Sequence, residues 1–208
     1  ALVVVPTSLI GNWRAEALRF APSLRVHAYA ERGSTSDRAG VIAEMGRHDV
    51  LLVSYPMLQI DGGAFADRVW ATLVLDEAQA IKNAAAKRSQ AVFALQATFR
   101  LAMSGTPIEN RLGELWSVMR ACNPGLLGTL PRFNERFANL IERQSVIDSP
   151  SRRGTVDSPQ GARELAPERP SAALAARNAQ RTLKRLIAPF ILRRTKAQVL
   201  ADLPPRTE

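Results

Sequence analysis

Four short apolar runs limit what this chain can fold into. Leu2–Val5, Val50–Ser54, Thr72–Asp76 and Arg100–Ser104 are separated by stretches with helical spacing. Strands that read as near-continuous apolar runs are covered on both faces, and their alternation with helices makes the sheet mainly parallel. Arg25–Tyr29 reads as a weaker strand of the same kind. Thr7 or Ser8 is placed to cap a helix whose Leu9, Trp13, Ala17 and Phe20 recur on one face. Ser36–Met45 and Ala84–Ala97 read as two more helices, the second from its alanine content. Thr106-Pro107-Ile108-Glu109 is a capping box with proline at the first helical position. Leu112, Leu115, Trp116 and Met119 then supply that helix with its apolar face. The expected fold class is α/β, a mainly parallel sheet flanked by helices.

The pattern changes after Pro124. An α/β lobe over residues 1–124 is followed by an irregular helical extension over 125–144. Ser145–Ala172 holds four prolines, two glycines, five serines and no aromatic residue, with four Arg against four Asp and Glu. Such a segment buries too little apolar surface to offset its ordering entropy, so it reads as a flexible insertion. Residues 173–208 read as a basic helical appendage. From Ala173 to Ala201 no residue is acidic, while Arg177, Arg181, Lys184, Arg185, Arg193, Arg194 and Lys196 are basic. The whole chain of 208 residues carries a net charge of +9, and all but four of its 28 cations are arginine. A GC-rich genome also yields arginine excess. The clustering therefore says more than the total, and it fits a nucleic-acid footprint.

No apolar run approaches the roughly 20 residues that cross a bilayer. The single cysteine, Cys122, excludes an intrachain disulfide and a cysteine-cluster zinc site. A reducing interior is the expected setting. The chain opens on Ala1-Leu2-Val3-Val4-Val5 without Met and ends on Pro204-Pro205-Arg206-Thr207-Glu208, so both ends read as cuts in a longer polypeptide.

The chemistry concentrates where Leu73-Val74-Leu75 runs into Asp76-Glu77. In open α/β sheets, ligands bind beyond the carboxyl ends of the strands. Two successive acids there can divide two tasks. Asp76 can hold Mg²⁺, directly or through water. Glu77 can orient and deprotonate a water that attacks a γ-phosphate. Asp-Glu after a strand also occurs as a plain turn, so context matters. Pro6-Thr7-Ser8, Ser54-Tyr55 and Ser104-Gly105-Thr106 all end strands in hydroxyls at what should be the same sheet edge. Hydroxyls and helix N-termini in such a place suit phosphate oxygens. Thr106 is an N-cap in any case, and for Ser8 capping and phosphate contact are both open.

These stretches together resemble the Swi/Snf-type branch of the superfamily-two, DEAD/DEAH-box-like helicase ATPases. The matching segments occur in the family's order. They are Val4–Trp13, Val53-Ser54-Tyr55, Leu75–Asn83, Leu101–Asn110 and, most diagnostic, Pro189-Phe190-Ile191-Leu192-Arg193-Arg194-Thr195-Lys196. The resemblance covers nearly all of the chain except Ser145–Ala172. It implies a RecA-like lobe of the P-loop NTPase type, the first of two in an ATP-dependent translocase on duplex DNA. Asp76 would be the Mg²⁺ ligand and Glu77 the catalytic base. Gln79, Ser104 and Thr106 would couple ATP to lobe closure. Pro6, Ser8, Ser54 and Tyr55 would face DNA. Arg193 and Arg194 would touch DNA or hold the connector to a second RecA-like lobe. Gln79 stands where histidine is more usual, but glutamine also donates and accepts hydrogen bonds. No Gly-Lys pair occurs in the sequence, so the phosphate-cradling loop is expected just before Ala1 and the second lobe beyond Glu208. By itself the chain is not expected to hydrolyse ATP. A strand-separating helicase, a restriction-system motor and a non-catalytic DNA-binding scaffold on the same fold are the alternatives.

Overall fold

The computed structural model describes residues 1–29, 35–105, 112–142 and 170–194. Two compact units divide the chain, 1–134 and 135–208.

The first unit is built on five strands: β1 (Leu2–Val5), β2 (Arg25–Ala28), β3 (Asp49–Ser54), β4 (Val69–Leu75) and β5 (Gln96–Ala102). Their order is β2-β3-β1-β4-β5, and every pairing is parallel. All five carboxyl ends therefore lie along one edge. The register sets Val5 beside Ser54, Val4 beside Leu75, and Leu75 beside Ala102.

Side chains alternate across a strand, and β1 shows the consequence. Leu2 and Val4 enter a large core with Leu51, Val53, Leu73 and Leu75. Val3 and Val5 join Leu52 on the opposite face, against Leu9, Ile10 and Trp13. The large core is closed by α3 (Tyr55–Ile60), α4 (Gly62–Ala66), α5 (Lys87–Ala94) and α6 (Leu112–Cys122), as well as α2 (Thr35–Glu44). Leu115, Trp116 and Met119 of α6 are buried as the sequence implies. Arg100 of β5 donates to the Ala121 carbonyl at the end of α6, 3.0 Å away. The Ser117 hydroxyl donates to the Ile81 carbonyl. The first bond ties α6 to β5, and the second ties it to the turn that follows Asp76-Glu77.

Several sequence expectations are corrected. Neither Thr7 nor Ser8 caps a helix. Residues Thr7–Leu9 form a 3-10 turn after Pro6, and α1 (Ile10–Phe20) follows without a side-chain cap. Phe20 is 71% exposed, so it does not belong to the buried face of α1. The Ala84–Ala97 helix shrinks to α5. Asn83 accepts from the Ala85 amide and holds a turn there, and Ser89 donates back to the carbonyls of Ile81 and Asn83. Gln96 and Ala97 pair with Val69 and Trp70 instead. Strand pairing here overrides alanine's helical propensity. The capping box at Thr106-Pro107-Ile108-Glu109 lies outside the described residues.

Beyond α6, α7 (Leu130–Phe133) passes into a π-helical turn over Asn134–Ala138, which accounts for the irregular spacing in the sequence. In the second unit, α8 (Pro170–Ile187) begins three residues before the expected Ala173. Most of Ser145–Ala172 lies outside the described residues. Ala176, Ala179 and Leu183 form the buried stripe of α8, while Arg177, Arg181, Lys184 and Arg185 are exposed.

Candidate functional site

The carboxyl edge gathers the acids and hydroxyls singled out in the sequence. β4 ends at Leu75, and the next amide, that of Asp76, is still bonded to the Val4 carbonyl at 2.9 Å. Asp76 is thus fixed to the central strand. Glu77 leaves the sheet in the left-handed region, at φ 48° and ψ 52°. A non-glycine residue there costs roughly 1–2 kcal/mol. The kink sends the chain into a 3-10 turn over Ala78–Ile81. The Ala78 amide then bonds the Met103 carbonyl, and the Met103 amide bonds the Leu75 carbonyl, each at 2.8 Å. The strands bearing Asp76-Glu77 and Ser104 are locked together at this point.

Each carboxylate is held by neutral donors. Asp76 Oδ1 accepts from the Glu77 amide at 2.9 Å. Its Oδ2 accepts from Trp13 Nε1 at 2.8 Å. Glu77 Oε2 accepts from Gln79 Nε2 at 2.5 Å, and Gln79 Oε1 accepts from the Ser104 hydroxyl at 2.8 Å. Ser104, Gln79 and Glu77 therefore form one hydrogen-bonded chain from the end of β5 to the second acid. Among the described residues, no Lys or Arg pairs with Asp76 or Glu77, and both side chains are half-buried.

That donor set fits a magnesium ion bound together with phosphate. No group of three acids, histidines or cysteines could hold a metal among the described residues. Mg²⁺ is commonly held by one or two carboxylates, with phosphate oxygens and waters completing its shell. Asp76 can give one such ligand, since the donors that hold its carboxylate are neutral. Tightly placed neutral donors orient the carboxylate without consuming that charge.

Ser54 and Tyr55 do not face outward. Each is 2% exposed. Ser54 caps α3, accepting from the Met57 amide at 3.3 Å. The Tyr55 hydroxyl donates to the Asp76 main-chain carbonyl at 2.7 Å. Burial first, and then the Asp76 carboxylate, push the Tyr55 phenol above its usual range, so it stays a donor. Tyr55 supports Asp76 from beneath and Ser54 serves α3; with both side chains buried, a DNA contact through them is not kept. Pro6 is half-buried, and Thr7 and Ser8 are exposed at the same sheet edge as Asp76. Thr106 lies outside the described residues. Arg193 and Arg194 are exposed and belong to the second unit.

Two features of the site were missed in the sequence. Trp13 was legible only as an apolar position on α1, because nothing in its spacing announces a bond to a residue 63 positions away. The left-handed kink at Glu77 carries no glycine or asparagine to mark it.

Comparison with known proteins gives the family and the fold. The profile of the SNF2-related domain matches residues 1–208. The TATA-binding protein-associated factor mot1 of Schizosaccharomyces pombe is 39% identical over 206 residues, 99% of this chain and 10% of that protein. A putative ATP-dependent helicase/translocase, YwqA of Bacillus subtilis, is 36% identical, across 100% of this chain and 19% of that protein. The solved SWI2/SNF2 ATPase core of Sulfolobus solfataricus in complex with dsDNA superposes with a TM-score of 0.71 at 34% identity, covering 98% of this chain and 36% of that one. The chain thus spans between a tenth and a fifth of those two curated relatives.

Proposed function

The chain belongs to the SNF2-related domain family, and from that membership we propose that it is the hydrolytic half-site of an ATP-dependent motor that moves on duplex DNA. The observation that carries the proposal is the bonded chain Ser104–Gln79–Glu77 beside Asp76, whose carboxylate is held by the neutral donors Trp13 and the Glu77 amide. Asp76 would hold Mg²⁺, which when bound neutralises charge on the phosphates. Glu77 would take the proton of the attacking water through a carboxylate that Gln79 keeps in one orientation. General-base catalysis of this kind requires hydrogen-bond reach and a fixed rotamer. Gln79 and Ser104 are positioning residues, and they offer a path by which a change at the end of β5 reaches the base.

Gln79→Ala and Ser104→Ala in the full-length motor test this assignment. A hydrogen bond to a charged group is worth about 1.5–3 kcal/mol. Gln79→Ala should therefore lower DNA-stimulated kcat about tenfold or more, with KM for ATP little changed. Ser104→Ala, one bond further away, should lower it less. Equal and small effects of both would remove the relay from the mechanism.

The turn at Pro6–Ser8, exposed at Thr7 and Ser8, is proposed as the DNA-facing element, through main-chain amides and the Ser8 hydroxyl. Arg193 and Arg194 are assigned to the connector toward a second lobe. Changing both to alanine should lower the melting temperature of the full-length protein and leave the salt dependence of DNA binding intact. If they contact phosphates, the log–log salt slope should instead shrink by about one for each arginine. Translocation on duplex DNA is preferred over strand separation because the Pro189–Lys196 segment is absent from generic DEAD-type helicases. Localisation follows the DNA: the nucleoid in a bacterium, the nucleus in a eukaryote.

A further inference from the structure

We propose that Trp13 is a positioning residue for the metal ligand, its indole N–H fixing the Asp76 carboxylate in the orientation that receives the cation. The inference rests on the reading of Asp76 as that ligand. Trp13 sits on α1, half-buried against the Val3, Val5 and Leu52 face of the sheet. Its ring packing there could be supplied by phenylalanine. Its N–H could not. The indole nitrogen has one proton and no accepting lone pair, and at 2.8 Å that proton is spent on Asp76 Oδ2. The other oxygen, Oδ1, is held by the Glu77 amide at 2.9 Å. A carboxylate pinned at both oxygens cannot rotate about its Cβ–Cγ bond without breaking one of these bonds. Each oxygen keeps a second lone pair, and neither donor carries a charge that would compete with a cation. An arginine or lysine in the same place would hold the carboxylate but neutralise it.

The placement of Trp13 adds a second property. α1 starts at Ile10, directly after the exposed 3-10 turn over Thr7–Leu9. A shift of that turn would be carried along α1 to the group that orients Asp76. Trp13 therefore joins the surface facing outward at the sheet edge to the ligand within it. Partners that orient metal ligands in this manner typically change metal affinity or activity by about 10–100-fold when removed.

Metal binding can be read without turnover. Mn²⁺ is titrated into the full-length motor saturated with ADP, and free Mn²⁺ is followed by its EPR signal. Trp13→Phe should weaken Mn²⁺ binding about tenfold, Asp76→Asn should weaken it at least as much, and adding Trp13→Phe to Asp76→Asn should change nothing further. An unchanged Mn²⁺ affinity in Trp13→Phe, with Asp76→Asn still impaired, overturns the inference and leaves the Asp76 reading standing. Unchanged affinity in Asp76→Asn overturns that reading instead. Should Trp13→Phe fail to fold, 3-benzothienylalanine at position 13 keeps the shape of the ring while replacing N–H by sulfur. The same two results then decide between positioning and packing.

Discussion

Glu77→Gln in the full-length motor should bind ATP normally and lose DNA-stimulated hydrolysis, with kcat falling about 10²–10⁴-fold, the usual contribution of a general base. The amide is nearly isosteric with the carboxylate and can still accept from Gln79 through its oxygen, so the chain from Ser104 survives. What disappears is the ability to take a proton. The left-handed backbone at Glu77 is unaffected, because glutamine meets the same steric cost there. A change in ATP affinity as large as the change in kcat would show that the residue binds nucleotide and does not act on water. Turnover close to that of the unaltered enzyme would assign the base elsewhere.

Phe65→Ala should be the most damaging single truncation in the core. Phe65 is fully buried, with its ring 4.7 Å from Tyr29 and 6.4 Å from Trp70 between centroids. The Trp70 indole also donates to the Phe65 carbonyl at 3.1 Å. Truncating a buried phenylalanine costs about 3–5 kcal/mol, transfer and cavity together. That is a large part of the 5–15 kcal/mol typical of a whole domain. Thermal melting followed through this lobe should fall by about 10 °C or more. Phe20→Ala provides the contrast: at 71% exposure it should stay within about 0.5 kcal/mol of the original. Comparable losses from both would mean that the α1 face is covered in the working protein and Phe20 is packed there.

The parts legible in the sequence are those fixed by short-range physics. β1 and β3 read clearly because Val and Leu runs between turn residues have no other economical use than a buried parallel strand. The carboxyl edge followed from topology alone: once every strand is parallel, Asp76, Ser104 and Ser8 must share one side. The boundaries of β4 and β5 were harder. Val69 and Gln96 open strands that the hydropathy pattern starts three or four residues later, because apolar residues such as Val69 and Phe99 are exposed and do not alternate cleanly with polar ones. Long-range polar contacts were not legible at all. Trp13 to Asp76 and Tyr55 to the Asp76 carbonyl depend on which helix covers which face. The resemblance puts Tyr55 on the DNA-facing side, and its burial was not legible because a strand-end tyrosine looks the same whether its hydroxyl turns to solvent or to a neighbouring carbonyl.

The central claim is that Asp76 and Glu77 form the hydrolytic edge of an ATP-driven motor. A structure of the full-length protein with a non-hydrolysable ATP analogue and Mg²⁺ tests it most directly. The account predicts the metal about 2.0–2.1 Å from an Asp76 oxygen, or one water removed from it. It also predicts a water about 2.6–3.2 Å from Glu77, in line with the γ-phosphate. A nucleotide bound away from the carboxyl edge of β4, or a metal that neither carboxylate approaches, would contradict it.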